Sequence, residues 1–525
     1  MADKLKYSTT QPTLPGLRTD DFVLGTGDGN YGPTSTTSYL NGFTAPEGGY
    51  VVYTLGLSNT PIGWVAANDA DLINISRHLG NTDLNAKAAK VYLAGLTDTW
   101  VFNSTPNNIV TDSLVFNMDI KNLTSYPDAE TNVYDISGEG NDGTLVNGVA
   151  RNPNGWLLFD GVDDYVEPST TFSFPGEFTV TCIFKQDTAS ERSFLGRVEG
   201  DTKLIFLSNY NIFFRMIDGG SAVNFPIGYG SSNLGRWNYI TATRDGDGTI
   251  KASLNGEPYT TNAVRTGTFQ PNLIGKNNSG QFWDGGISNM RLYDRSFTEA
   301  ELKQNYYGGP IVTDGLIFNM DPSSLVSYEN GSPQAFSLIG DYPTDVQNGL
   351  SWNSSYGGVF TPDGTDDGLA TPHQPNLSLD ANSLEGWVWF DQHKNYGSLL
   401  VKGPGGSGNI FNYSFFFYAG SINYGCGDGG EWQNVGISTS QVPTGRFHHI
   451  VGTYDLNVLK FYLNGVLNQE LEISFPPHQN TDDLQVLQIP YNLDGKVGAA
   501  RIYNRALTAE EVKQNFEAQR SRFGI

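Results

Sequence analysis

Ile109-Val110-Thr111-Asp112-Ser113-Leu114-Val115-Phe116-Asn117-Met118-Asp119 returns as Ile311-Val312-Thr313-Asp314-Gly315-Leu316-Ile317-Phe318-Asn319-Met320-Asp321, an offset of 202. Further on, Arg291-Leu292-Tyr293-Asp294-Arg295 returns as Arg501-Ile502-Tyr503-Asn504-Arg505, an offset of 210. An offset that drifts so little marks a duplicated unit of roughly two hundred residues, far above the ~20–50 residues of solenoid and propeller repeats. Two copies of one globular domain therefore follow a different N-terminal part. Duplication of a whole domain favours multivalent display over a single catalytic centre.

The composition fixes the class of each copy. Gly (62), Thr, Asn, Ser and Tyr are frequent and the good helix formers are thin, which suits short strands joined by tight turns. Within the repeats, Phe178, Val180, Cys182 and Phe184 alternate with Thr179, Thr181 and Ile183, the pattern of a half-buried antiparallel strand. Leu254-Asn255-Gly256 and Leu463-Asn464-Gly465 are matching hairpin turns, because Asn-Gly takes positive φ readily. Each repeat closes on a short helix under a capping box, Thr298 with Glu301 and Thr508 with Glu511. Leu302 with Tyr306, and Val512 with Phe516, supply its apolar stripe. The fold class is mainly β: two tandem antiparallel sandwiches, over 109–309 and 310–525.

Ahead of them, residues 1–45 carry no apolar period and read as an extended arm. Residues 46–108 read as a small α+β domain. Tyr50–Leu55 and Thr99–Phe102 are its expected strands; the expected helices span about 68–80 and 84–93.

A net charge of −24, from 31 basic and 55 acidic residues, excludes an extended phosphate-binding surface and so a nucleic-acid partner. No apolar run approaches the ~18 residues of a membrane span, so no membrane insertion is expected. Met1–Ser8 lacks an apolar h-region, so no secretory signal is expected. Cys182 and Cys426 fall in different repeats and are not expected to pair.

Tyr134-Asp135-Ile136-Ser137-Gly138 through Leu145, then Phe159-Asp160-Gly161-Val162-Asp163-Asp164-Tyr165-Val166, resembles the laminin-G-like, concanavalin-A-like jelly-roll family. The closing stretches Arg291–Thr298 and Arg501–Thr508 resemble its last strand and helix. The second copy keeps Asp363-Gly364-Thr365-Asp366-Asp367 but has lost the Asp-Ile-Ser-Gly segment. In the N-terminal part, Asn41–Tyr50 and Asn68–Ile73 are similar to the front ends of structural proteins of marine tailed bacteriophages, cyanophages included, which carry laminin-G-like domains downstream.

Fold alone assigns no chemistry, since this sandwich hosts lectins, glycosidases and inert scaffolds. A glycosidase needs paired carboxylates facing one cleft. Glu470-Leu471-Glu472 offers two acids without a third, so no catalytic residue is expected. His448-His449 would point to opposite faces of a strand and cannot chelate one metal. Asp163, Asp164, Asp366 and Asp367 are calcium candidates, because the family resemblance implies a calcium ion at a sandwich edge. The competing reading is a turn whose carboxylates accept backbone N–H groups. Trp283, Tyr413, Tyr418, Tyr424 and Trp432 are the sugar-stacking candidates.

The resemblances imply a non-enzymatic virion structural protein, as a fibre, whisker or surface decoration, located in the virion after synthesis in the host cytoplasm. Its expected partners are other virion proteins, sister chains (a trimer) and a host-surface glycan. A bacterial surface adhesin or polysaccharide-binding protein is the alternative, and a sandwich-fold glycan depolymerase the third reading.

Overall fold

A computed structural model of the chain describes residues 109–525, except 128–130, 199–202, 209, 219–220, 259, 405–409, 474 and 488–492. Before residue 109 it describes four strands only. These form one sheet in the order Pro61–Ala66, Tyr50–Leu55, Ala89–Leu93, Thr99–Val101. The strands expected at Tyr50 and Thr99 are present. The helix expected over 84–93 is corrected: Ala89–Leu93 is a strand, pairing Val91 with Val52 and Tyr92 with Val51. Val91 and Tyr92 favour a pleated strand, and a ladder partner overrides the local helix preference of the alanines before them. The expected arm over 1–45 and the expected helix over 68–80 lie outside the described residues.

The chain divides into two compact units, Met1–Glu299 and Ala300–Ile525, and each contains a two-sheet antiparallel sandwich. In the first, one sheet runs Thr260–Val264, Thr249–Leu254, Trp237–Arg244, Phe178–Gln186, Asp284–Tyr293, Trp156–Asp160, Ala150–Asn152, with Leu114–Asp119 also laid on Asp284–Tyr293. Its other sheet runs Ser221–Gly228, Asn211–Asp218, Lys203–Ser208, Arg192–Gly196, Leu273–Ile274, Tyr165–Pro168, Gly143–Val146, Asn132–Val133. The second sandwich repeats both orders strand for strand, with Asn382–Gln392 and Asp494–Tyr503 at the centre of one sheet and Ser398–Lys402 and Tyr413–Tyr418 in the other.

Phe178, Val180, Cys182 and Phe184 all enter the first core, as their spacing requires. Their strand is more than half-buried, however. Thr179 and Thr181 on its other face are buried as well, and Thr179 Oγ1 donates to the Arg295 carbonyl at 2.8 Å. The segment that follows Tyr293 covers this face, which the alternation of apolar and polar residues could not reveal. Cys182 and Cys426 are buried free thiols.

The two Asn-Gly turns take the expected backbone, with φ of 52° and 75° at Asn255 and Gly256, and 51° and 78° at Asn464 and Gly465. Each asparagine also accepts a backbone N–H from the neighbouring strand: Asn255 from Tyr239 at 2.8 Å, Asn464 from His449 at 2.9 Å. The capping box of the helix Ala509–Gln519 is formed reciprocally by Thr508 and Glu511. Val512 and Phe516 are buried beneath it, as Leu302 and Tyr306 are on the helix Glu299–Tyr307. No helix among the described residues is long and apolar enough to cross a membrane.

Candidate functional site

The acidic turns grow out of one local rule applied twice. The strand Trp156–Asp160 ends in Gly161 at φ 76°, and Gly364 takes φ 75° after Val359–Thr361. A chain that turns this sharply leaves N–H groups without ladder partners, and aspartate side chains accept them. Asp160 Oδ1 accepts from Val162 at 2.8 Å, and Asp164 Oδ2 accepts from Asp160 at 3.0 Å. In the second copy Asp363 Oδ1 accepts from Thr365 at 2.7 Å, and Asp367 Oδ2 from Asp363 at 2.9 Å. An asparagine from a neighbouring turn completes each: Asn147 donates to the Asp163 carbonyl at 3.0 Å and Asn348 to the Asp366 carbonyl at 2.7 Å.

A single cation braces each turn from the side. Arg192 Nη1 donates to the Gly161 carbonyl at 3.3 Å and lies 4.0 Å from Asp284. Lys394 Nζ donates to the Gly364 carbonyl at 2.8 Å and lies 3.7 Å from Asp494.

The turn reading of the aspartates therefore holds, and it leaves oxygen atoms over. Carboxylate oxygens of Asp160, Asp163 and Asp164 come within 4.8 Å of one another, as do those of Asp363, Asp366 and Asp367. Asp163 and Asp366 are exposed, Asp164 and Asp367 buried. Burial, and then the charges of Asp160 and Asp163, hold the Asp164 carboxyl above the ordinary carboxylate value; Asp367 is raised in the same way by burial and by Asp363 and Asp366. Asp164 Oδ1 is buried without a hydrogen-bond partner. An all-oxygen donor set with one uncompensated buried oxygen fits a hard divalent cation in the first copy.

The remaining sequence candidates separate clearly. Glu470 and Glu472 are exposed on Val466–Glu472, the end strand of its sheet, opposite Lys460 and Val458 in the ladder. His448 and His449 do point to opposite faces: His448 Nε2 meets the Pro443 carbonyl at 2.7 Å, while His449 packs on Trp387 and Phe516. Of the five aromatics, Trp283, Tyr413 and Tyr424 are wholly buried and Trp432 is half-buried. Tyr418 alone is exposed, at 48 %. Sequence reasoning missed its neighbour Tyr396, 58 % exposed, whose ring centroid lies 5.2 Å away. An aromatic in a polar loop carries no signal of which ring it will meet.

Asp135, in the segment that carries the family resemblance, is a staple. Its carboxylate accepts N–H groups of Asn117 (2.8 Å), Ser137 (2.9 Å) and Asn141 (3.0 Å). Ser337 takes over the first of these roles in the second copy, accepting from Asn319 at 3.0 Å.

The chain is similar to domain 4 of AbnA, a GH43 extracellular arabinanase from Geobacillus stearothermophilus, in complex with arabinotriose. The identity is 18 %, covering 38 % of this chain and 97 % of that one, at a TM-score of 0.30. It is similar to the sialidase CBM40 of Ruminococcus gnavus bound to alpha2,3 sialyllactose (15 % identity, 28 % of this chain, 91 % of that one, TM-score 0.24). It is also similar to the ligand binding domain of botulinum neurotoxin serotype D in complex with N-acetylneuraminic acid (11 % identity, 76 % and 97 % covered, TM-score 0.33). No curated protein sequence matches the chain. The profile described as the concanavalin A-like lectin/glucanases superfamily matches it twice, over residues 160–303 and 363–513. With more than half of its length matched, one stretch in each repeat, the chain belongs to the concanavalin A-like lectin/glucanases superfamily.

Proposed function

We propose that this is a non-enzymatic virion structural protein that presents two laminin-G-like sandwiches to glycans on a host surface. The observation that carries the display reading is the exact repetition of strand order and of the braced acidic turn in two units of one chain. Two modules on one chain raise avidity through effective concentration, with no new contact needed. The virion part rests on the likeness of Asn41–Tyr50 and Asn68–Ile73 to the front ends of phage structural proteins. Association of three chains through residues 1–108 belongs to the same proposal.

The expected result is retarded migration of the full chain in gels containing soluble β-glucan, α-mannan or arabinan, without release of reducing sugar. A chain lacking residues 1–104 keeps that retardation and loses incorporation into particles. Sugar release abolished by Glu470→Ala or Glu472→Ala would replace this reading with a depolymerase. Normal incorporation of the truncated chain would place the anchor in the sandwiches.

Calcium is part of the proposal for the first sandwich. Asp160, Asp163 and Asp164 would hold the ion, which would neutralise their mutual repulsion and fix the turn. Millimolar calcium is expected to raise the unfolding temperature by a few degrees, corresponding to roughly 1 kcal/mol. Asp164→Asn should remove the rise; an unchanged rise in that variant would assign the ion elsewhere.

A further inference from the structure

Two tyrosine rings stand in water side by side at one end of the second sandwich. Tyr396 and Tyr418 are 58 % and 48 % exposed, with centroids 5.2 Å apart and planes inclined at 47°.

The backbone puts them there. Tyr418 ends the strand Tyr413–Tyr418, whose residues 413, 415 and 417 enter the core, so Ser414, Phe416 and Tyr418 face away from it. Tyr396 lies in the loop before Ser398–Lys402 at φ 68°, a left-handed backbone that ring-bearing residues seldom adopt. Two hydrogen bonds enforce it: Tyr396 N–H to the Phe417 carbonyl at 2.6 Å, and Phe417 N–H to the Gly397 carbonyl at 2.7 Å. Unfavourable backbone of this sort persists where the surroundings over-determine it, and it clusters at ligand sites. Here it holds an aromatic ring out in solvent, which burial alone would never favour.

The same face continues the surface. Phe416 is half-buried, and its ring is 5.3 Å from that of Trp432, edge to face. A Cβ on Gly425 would meet the Gln433 carbonyl first, and would also come within 2.8 Å of the Trp432 indole. Asn423, opposite Phe416 in the ladder, is buried and donates to the Ser421 carbonyl at 3.2 Å, while Asn395, next to Tyr396 in the chain, is exposed.

We propose that Tyr396 and Tyr418 form a stacking subsite for a neutral pyranose, extended along the sheet by Phe416 and Trp432. A pyranose offers an apolar C–H face rimmed by hydroxyls. Exposed rings and the exposed Asn395 amide next in the chain complement the two parts. The net charge of −24 disfavours an acidic glycan. This inference rests on the glycan-display reading and assigns its contact to one place on one sandwich. The first sandwich does not repeat the pair: Ser208 holds the ladder position of Tyr418, Tyr210 (43 % exposed, φ 57°) sits in the turn where Gly420 does, and the facing loop 187–191 contains no aromatic residue.

The test uses the full chain in affinity gels of β-glucan, α-mannan and arabinan, with heparin as the acidic probe. Tyr396→Asn, which tolerates the left-handed backbone, and Tyr418→Ala are each expected to weaken retention about tenfold. Tyr396→Phe and Tyr418→Phe should keep it, and Tyr210→Ala should change it by less than about threefold if stacking needs both rings. Unchanged unfolding temperatures in all variants confirm that the fold is intact. Equal retention of wild type, Tyr396→Asn and Tyr418→Ala would overturn the subsite while leaving glycan display standing. Retention on none of the neutral polysaccharides would overturn both, and retention on heparin alone would overturn the choice of a neutral sugar.

Discussion

Arg501→Met is expected to cost the second sandwich about 3–5 kcal/mol, the usual consequence of leaving one member of a buried ion pair uncompensated. Arg501 is wholly buried on the strand Asp494–Tyr503. Its guanidinium donates to Glu385 Oε1, to Gln519 Oε1 at 2.7 Å and to Asn319 Oδ1 at 3.1 Å. Glu385 is equally buried, and its other oxygen accepts from Asn515 at 2.7 Å and Tyr503 at 3.3 Å. Take the guanidinium away and Glu385 keeps its desolvation cost without its cation. Asp321 suffers less, because Arg522 still holds it at 2.8 Å.

The size of the loss is readable by calorimetry of the full chain, and the mechanism by a second variant. Glu385→Leu combined with Arg501→Met should recover part of it, since no charge is then left buried alone, while Asn319, Gln519 and Asn515 still lose their partners. A double variant as unstable as the single one would mean that packing, not charge, was lost.

Acid gives an independent reading. Burial pushes the Glu385 carboxyl up, but Arg501 and then His449 outweigh it and hold it at about 2 against an ordinary 4.5. A carboxyl depressed by folding contributes its stability above the unfolded value and loses it as pH falls through the folded one. The contribution is therefore complete above pH 4.5 and disappears between there and about pH 2. It amounts to about 3 kcal/mol. Glu385→Gln should flatten the stability profile in that window. The first sandwich lacks this feature, because Thr181 stands opposite Arg291 where Glu385 stands opposite Arg501.

These residues show what the sequence could and could not convey. The repeated Arg291 and Arg501, and the repeated Asn117 and Asn319, were visible as part of the duplicated stretches, and they proved to bond to each other within each copy. Their acidic partners Asp119 and Asp321 end the same duplicated stretch, but Glu385 has no counterpart in the first copy, so the repeat pattern passes over it. The Asp135 segment is absent from the second copy, yet Ser337 makes the corresponding bond to Asn319 with a different side chain. The acidic turns were legible because their chemistry is local, set within five consecutive residues. Tyr396 was not, because its position depends on pairing with Phe417, twenty-one residues away.

Gly495→Ala should be the most damaging methyl group that can be added near the second acidic turn, at about 3 kcal/mol or more from strain and overpacking together. Gly495 has φ 153°, and a Cβ there would run into the Trp389 carbonyl oxygen on the neighbouring strand. Gly285 repeats the arrangement in the first sandwich at φ 134°, against the Lys185 carbonyl. Both obstacles are backbone atoms of the paired neighbouring strand, so relief requires a strand itself to move.

Each glycine also follows the carboxylate that anchors the brace. Asp494 lies 3.7 Å from Lys394 and bridges to Asp363 in the ladder, and Asp284 pairs with Asp160. Displacing the start of Asp494–Tyr503 should therefore disturb the Gly364 turn and, through Lys394, the loop that presents Tyr396. Gly445→Ala is the control: its φ is 77° and nothing lies within 4 Å of the added Cβ, so it carries the conformational penalty alone, about 1 kcal/mol. Calorimetry of the two variants compares them, and the excess loss at Gly495 measures the collision with the Trp389 carbonyl together with the greater backbone strain at φ 153°. Equal losses would show that the strand yields freely at Gly495, and the brace would then have to be held by Lys394 and Asp494 themselves.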